Sequence, residues 1–324
     1  MSWIEKCWYS NSRVYWLLMP LAWLYAAITA FRRWLFRVGL KRTHRLPVPV
    51  IVVGNISIGG TGKTPFTLML CQLLQSQGWR PGIVSRGYGA KIAKPRLVAA
   101  NDNAADVGDE PLLLALRSGC PVVVYANRVQ AAEYLLQQAD IDIIISDDGL
   151  QHYAMQRDIE IVLIDGLRGL GNEQLLPAGP LRERRWRLSS VDLVLSNSKA
   201  LPYSDGVMHI VPDQARALNS AQTLSAGPVN LVAAIGNPAR FAQTAQLAGF
   251  SIVQQHYFVD HHQFTPADFT TIATPILMTE KDAVKCRAFA KDDWFSLGVN
   301  AQLDMPAMAK LTTLLTQLRS TYGT

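Results

Sequence analysis

The run Ser57-Ile58-Gly59-Gly60-Thr61-Gly62-Lys63-Thr64 holds residue types that handle phosphate. Glycines let backbone N–H groups converge on phosphate oxygens, and a helix N-terminus adds its dipole. A lysine after the last glycine reaches the β- and γ-phosphates of a nucleotide, and the hydroxyl beside it suits Mg²⁺. The spacing is that of a GxxxxGK[ST] loop, except that Ser57 stands at the first glycine position. The loop follows a near-continuous apolar run, Val48 to Gly54, and opens a helix, which is the context the motif requires. Pro65 agrees with that helix, because the first turn tolerates a missing N–H.

A nucleotide loop also needs acids for the metal and a group that orients the nucleophile. Residues 141–148 (IDIIISDD) read as a buried strand with two adjacent acids at its C-terminal end, where open α/β sheets bind ligands. Either Asp147 or Asp148 fits the metal-side acid. Asp165 ends another apolar run, and a site role and a turn role stand level for it. Asp109-Glu110 precede Pro111 at a helix start, where the dipole favours two acids with or without chemistry. Arg86-Gly87-Tyr88-Gly89 would present a cation and a ring from a strand end, or form an ordinary turn. Asp260-His261-His262 permits a general base or a metal ligand. Nearby His256 adds no zinc spacing.

These residues need a scaffold. Strand patterns at 48–54, 82–85, 121–125, 141–146, 159–164 and 191–196 alternate with helix patterns at 63–77, 111–118 and 128–139. Such alternation implies an α/β fold with a mostly parallel sheet. The pattern weakens over 197–228. A second series follows, with strands at 229–235, 252–255 and 276–279 and helices at 238–248 and 306–319. The expected architecture is a P-loop NTPase-like domain over 47–228 and a smaller α/β domain over 229–324 that closes over the active site.

Residues 1–46 are expected to be a membrane-associated segment. Residues 1–50 hold eight Lys/Arg and one acid, a net of +7, so the rest of this +6 chain carries −1. Five of the eight Trp lie there too. A nearly neutral body argues against general nucleic-acid binding. Val14 to Phe31 is uncharged, near the lower length limit for a spanning helix, and interrupted by Pro20. Trp, Tyr and the basic flank favour a helix lying in the membrane interface; a spanning helix and a helix packed on the core are the alternatives. The flank keeps the body on the cytoplasmic side. Cys7, Cys71, Cys120 and Cys286 are widely separated and read as free thiols.

Taken in order, the apolar front end, VGNISIGGTGKTP, SRGYG, VGDEP, DDGLQH, IDG, LLPAGPLRE and MTEKDAVKC resemble the tetraacyldisaccharide 4'-kinase family over about residues 3–300. The resemblance implies two α/β domains with the active site between them. It implies transfer of the ATP γ-phosphate, with Mg²⁺, to the 4'-hydroxyl of a tetraacylated glucosamine disaccharide 1-phosphate. The product would be lipid IVA, made on the cytoplasmic face of the inner membrane for lipid A, with no obligate protein partner. Within the family's motifs, Asp109 would activate the sugar hydroxyl together with His261. Thr64, Glu110, Asp147 and Asp148 would surround the metal, and Arg86, Tyr88, Arg128 and Gln151 would lie along the substrate and phosphate side. The family also lacks glycine at the Ser57 position. The alternative is a membrane-associated regulatory P-loop NTPase without a lipid acceptor. For a GTPase, Thr279-Glu280-Lys281-Asp282 only approximates the Asn-Lys-x-Asp base-reading element.

Overall fold

In a computed structural model, residues 3–10 and 13–323 are described. The strands are β1 Val50–Gly54, β2 Pro81–Ser85, β3 Arg96–Leu97, β4 Val122–Val124, β5 Ile143–Asp147, β6 Ile159–Asp165, β7 Leu193–Asn197, β8 Gly206–Ala217, β9 Thr223–Leu224, β10 Pro228–Ala233, β11 Ser251–Tyr257, β12 Ile276–Thr279 and β13 Trp294–Leu303. The helices are α1 Trp3–Tyr9, α2 Met19–Arg37, α3 Lys63–Ser76, α4 Ala104–Val107, α5 Asp109–Ser118, α6 Arg128–Gln138, α7 Pro238–Leu247, α8 Glu280–Cys286 and α9 Met305–Tyr322.

All strands join one sheet in the order β11-β10-β12-β13-β8-β7-β6-β1-β5-β2-β4-β3, with β9 beside β8. The runs of Val and Ile in β1 and β5 are buried along their whole length, as strands covered by helices on both faces must be. Pairing is parallel in β4-β2-β5-β1-β6-β7-β8 and again in β13-β12-β10-β11. The two sets meet at one antiparallel pair, β8 with β13. The α/β class and mostly parallel sheet are as expected.

The sequence pattern revealed neither strand of that joining pair. Pro212 interrupts β8 and Gly298 interrupts β13, and the ladder shifts register between Leu297 and Val299, opposite Pro212. Proline and glycine sit in strands where a bulge breaks the ladder, and there they erase the period-two signal. The last helix, α9, returns to the first series: Ala307, Leu311, Leu315 and Leu318 belong to the same apolar core as Ile51, Phe66 and Ile145.

At the front, the stretch Val14–Arg37 is helical and long and apolar enough to cross a membrane. Ala22 is the buried residue of α2, whereas Leu17 is 80 % and Trp23 60 % exposed. Most of this helix is therefore not packed on the core, although Tyr25 and Ala26 lie against it. One edge does touch the body: Tyr25 donates to the Arg182 carbonyl at 3.2 Å, and Arg33 lies 3.4 Å from Glu183. All four cysteines are buried and free.

Candidate active site

Strand register places the first carboxylates. Val53, just before the loop, pairs with Asp147, and Val84 pairs with Ser146, so the C-terminal ends of β1, β5 and β2 lie level. The loop leaves β1, and α3 begins at Lys63 behind Gly62, whose φ of +91° is left-handed. A side chain at Gly62 would also meet Met208 Cε at 2.7 Å. From β7, Asn197 donates to the Thr61 carbonyl at 3.2 Å, and Ile58 N–H donates to Pro180 at 2.8 Å. Ile58, Gly59 and Gly60 remain exposed.

The adjacent acids separate in role. Asp148 is paired: Lys63 Nζ lies 3.6 Å and Arg182 Nη1 3.1 Å away. Burial would raise its carboxyl, but Lys63 and Arg182 hold it below the usual carboxylate range. Asp147 is buried, accepts from Ser85 Oγ at 3.3 Å, and leaves Oδ1 without a hydrogen-bond partner. Burial first, then the charge of Glu110, push Asp147 up to about 7, against the pull of Lys63. Among the described residues no three His, Cys, Asp or Glu side chains cluster closely enough to cage a metal. Nucleotide-bound Mg²⁺ does not need such a cage, since one or two carboxylates suffice beside phosphates and water. An under-neutralised carboxylate with a free, buried oxygen fits such an ion.

That displacement has a measurable consequence. An acid whose folded pKa rises costs stability that is absent below its unfolded value and grows as pH rises through the folded one. Asp147→Asn should therefore stabilise the nucleotide-free protein at about pH 8 by on the order of 2 kcal/mol. The advantage should shrink at about pH 5. Denaturant midpoints at the two pH values check this, and an advantage that does not depend on pH would refute the buried charge.

Asp109 opens α5, the helix predicted from Pro111. Gly108 before it has a φ of +93°, and a Cβ there would lie 3.3 Å from Gly87 Cα and from the Tyr88 carbonyl. Glycine thus lets the Arg86–Gly89 loop press against the start of α5. Asp109 is buried; its Oδ1 accepts from Glu110 N–H at 2.9 Å and its Oδ2 lies 3.0 Å from His261 Nδ1. Burial raises this carboxyl, but the His261 hydrogen bond and the Lys281 charge more than offset it and hold it below its usual value. The same hydrogen bond raises His261 against its desolvation. His261 itself is left-handed (φ +61°), with its N–H donating to the Ala234 carbonyl at 3.2 Å and its ring 5.3 Å from that of Tyr88.

Of the remaining candidates, Arg128 is buried, and burial lowers it to about 10 despite Asp147 and Asp148. Arg86 is exposed at the end of β2, and Tyr88 is largely exposed. Gln151 donates to the Asn55 carbonyl at 3.1 Å and to Glu183 at 2.9 Å. Asp165 takes its turn role: Oδ1 accepts from Leu167 N–H at 3.0 Å, and Arg240 of α7 lies 3.3 Å away.

Sequence reasoning missed Arg182, Arg240 and Lys281. Arg240 reaches the Gly60 carbonyl at 3.4 Å, and Lys281 reaches Glu110 at 3.0 Å. Lys281 lies in the segment weighed as a base-reading element. That segment instead caps α8: Thr279 accepts from Asp282 N–H at 3.1 Å, and buried Asp282 accepts from Ala234 N–H at 3.0 Å.

The model of the tetraacyldisaccharide-1-P 4'-kinase family matches residues 14–318. Similar relatives include the tetraacyldisaccharide 4'-kinase of Shewanella oneidensis, 48 % identical over 322 residues, covering 98 % of this chain and 95 % of that protein. That of Shewanella piezotolerans is 47 % identical over 324 residues, covering 98 % of each. A crystal structure of LpxK from Aquifex aeolicus in complex with ATP superposes with a TM-score of 0.78 at 26 % identity, covering 94 % of this chain and 99 % of that one. The phosphate loop, the paired acids and the Asp109–His261 contact thus sit in a chain that belongs to the tetraacyldisaccharide-1-P 4'-kinase family.

Proposed function

We propose that the chain carries out its family's reaction between the phosphate loop and the start of α5, moving the γ-phosphoryl group of ATP to the 4'-hydroxyl of a tetraacyldisaccharide 1-phosphate. The observation that carries this is the Asp109–His261 contact at 3.0 Å, made across 152 positions of sequence, next to Glu110, whose charge is felt by Asp147 at the end of β5. It sets an oriented carboxylate where an acceptor hydroxyl would meet the nucleotide. Phosphoryl transfer needs positioning and charge neutralisation more than covalent chemistry from the protein. Lys63 and the N–H groups at the start of α3 would bind the transferring phosphates. Thr64, Asp147 and Glu110 would hold Mg²⁺, which when bound offsets phosphate charge. Asp109 would take the hydroxyl proton, and His261 would hold the carboxylate in aim. Arg86, Tyr88, Arg128 and Gln151 would line the acceptor and phosphate side. The two series of strands would act as two domains that close over ATP and exclude water.

The exposed apolar face of α2, with its basic flank, would rest in the inner-membrane interface on the cytoplasmic side and meet the acylated acceptor by diffusion in two dimensions. The test follows radiolabelled phosphate from ATP into a purified disaccharide 1-phosphate acceptor, alongside flotation with anionic vesicles. Wild type should label the lipid; no labelled lipid would refute the acceptor. Changing Trp16, Trp23 and Leu24 together to serine should weaken vesicle binding by about tenfold or more. Unchanged flotation would refute the interfacial placement.

A further inference from the structure

We propose that Lys281 is a positioning residue for the transfer step: its ammonium meets His261 on the edge opposite Asp109 and holds the ring in the tautomer that aims its N–H at the Asp109 carboxylate. The proposal rests on the reading of Asp109 as the group that takes the hydroxyl proton.

The geometry is specific. Lys281 Nζ lies 3.0 Å from Glu110 Oε1, 3.4 Å from His261 Nε2, and 3.9 Å from both Asp109 Oδ2 and Asp260 Oδ1. An ammonium group has three donors and no acceptor, so it can only donate toward Nε2. A ring nitrogen that accepts carries no proton, so the proton of neutral His261 sits on Nδ1, 3.0 Å from Asp109 Oδ2. The other tautomer would set N–H against N–H at Lys281 and a lone pair against a carboxylate oxygen at Asp109. Lys281 and Asp109 thus disfavour it at both ends of the ring, and Asp260 Oδ1, at 3.9 Å from Nε2, is too far to accept a hydrogen bond from it.

Three features keep Lys281 in this position. Its side chain is only 17 % exposed, so its charge is poorly solvated and held by neighbouring carboxylates. Burial works against that charge, but Glu110, Asp109 and Asp260 more than offset it and keep the group cationic. The start of α8 is also clamped to α5 next door, where Arg117 reaches Glu280 at 2.5 Å and Asn300 at 2.9 Å. Asp109 and Glu110 come from α5, Asp260 and His261 from the segment after β11, and Lys281 from α8. The ammonium is therefore a cation that joins both series of strands beside Asp109 and His261.

The test uses the full-length enzyme in detergent micelles, labelled with ¹⁵N-histidine. Because the Asp109 hydrogen bond raises His261, long-range proton–nitrogen spectra are taken at increasing pH until the ring is neutral, and there they read the tautomer. The chain has six histidines, and His261→Gln assigns the signal. Wild type should carry the proton on Nδ1. Lys281→Met should move it to Nε2 or to a mixture and lower kcat by about 10- to 100-fold, with KM for ATP and acceptor within about twofold. Lys281→Arg should keep the wild-type tautomer and recover most of kcat. A wild-type proton on Nε2 overturns the proposal without any variant. So does a Lys281→Met enzyme with an unchanged ring signal, a loss confined to KM, or no rescue by arginine. If Asp109→Asn stays active, the reading of the base fails separately. If it is inactive while Lys281→Met keeps full kcat, only the role of Lys281 fails.

Discussion

Asp109→Asn should lower kcat by about 10²- to 10⁴-fold while the KM for ATP stays within about twofold. Asparagine keeps the volume and can still accept from Glu110 N–H through its carbonyl oxygen, so α5 keeps its start. It loses the basic oxygen, and its amide N–H₂ then faces His261 Nδ1. With the proton on Nδ1, two donors meet. On the reading of Asp109 as the base, the variant would lose the proton acceptor and the hydrogen bond that aims it, but no group proposed to touch the nucleotide. Single-turnover transfer from ATP to the disaccharide acceptor reads the effect on chemistry, and ATP binding measured separately confirms an intact loop. A variant with more than about a tenth of wild-type kcat would remove Asp109 from the role of base.

Lys63→Met should cost about 10²- to 10³-fold in kcat and weaken ATP binding as well, because a loop lysine contacts the phosphates in ground state and transition state alike. Methionine keeps most of the aliphatic stem, which limits the packing loss. The variant should also fold, since half-buried Asp148 retains Arg182 at 3.1 Å and is not left unpaired. Asp147 loses the one cation that most opposes its upward shift, so its carboxyl should move further up. The two substitutions are therefore separable: Asp109→Asn acts on kcat alone, and Lys63→Met acts on kcat and KM together. A Lys63→Met enzyme with wild-type kcat would refute the placement of ATP in this loop.

Much of the first half was legible because its signals are local. A short run of Val and Ile that ends in a glycine loop fits a strand covered on both faces, and glycines followed by Gly-Lys-Thr mark a strand-to-helix turn. The acids ending β5 and the split of charge between the first 50 residues and the rest were readable in the same way. Asp165 was left level between two roles, and its neighbours Leu167 and Arg240 give it a turn role. The strands β8 and β13 went unseen because Pro212 and Gly298 break their alternation, and a strand with a bulge owes its place to its partner rather than to its own pattern.

By itself, then, the sequence determined the class of fold, the phosphate loop and the asymmetric front end, all of which depend on residues within a few turns of one another. Only the tertiary structure decided which acids work together. Asp147 and Asp148 are neighbours in sequence, yet one faces two cations and the other is buried with a free oxygen. Asp109 and His261 are 152 positions apart and 3.0 Å apart in space. Lys281 lay inside a motif but was given no role there, because an ammonium acquires a role only from the groups that desolvate and surround it. The antiparallel joint of β8 and β13 turns two runs of parallel sheet into one frame, and long-range chemistry of this kind exists only once that frame has closed.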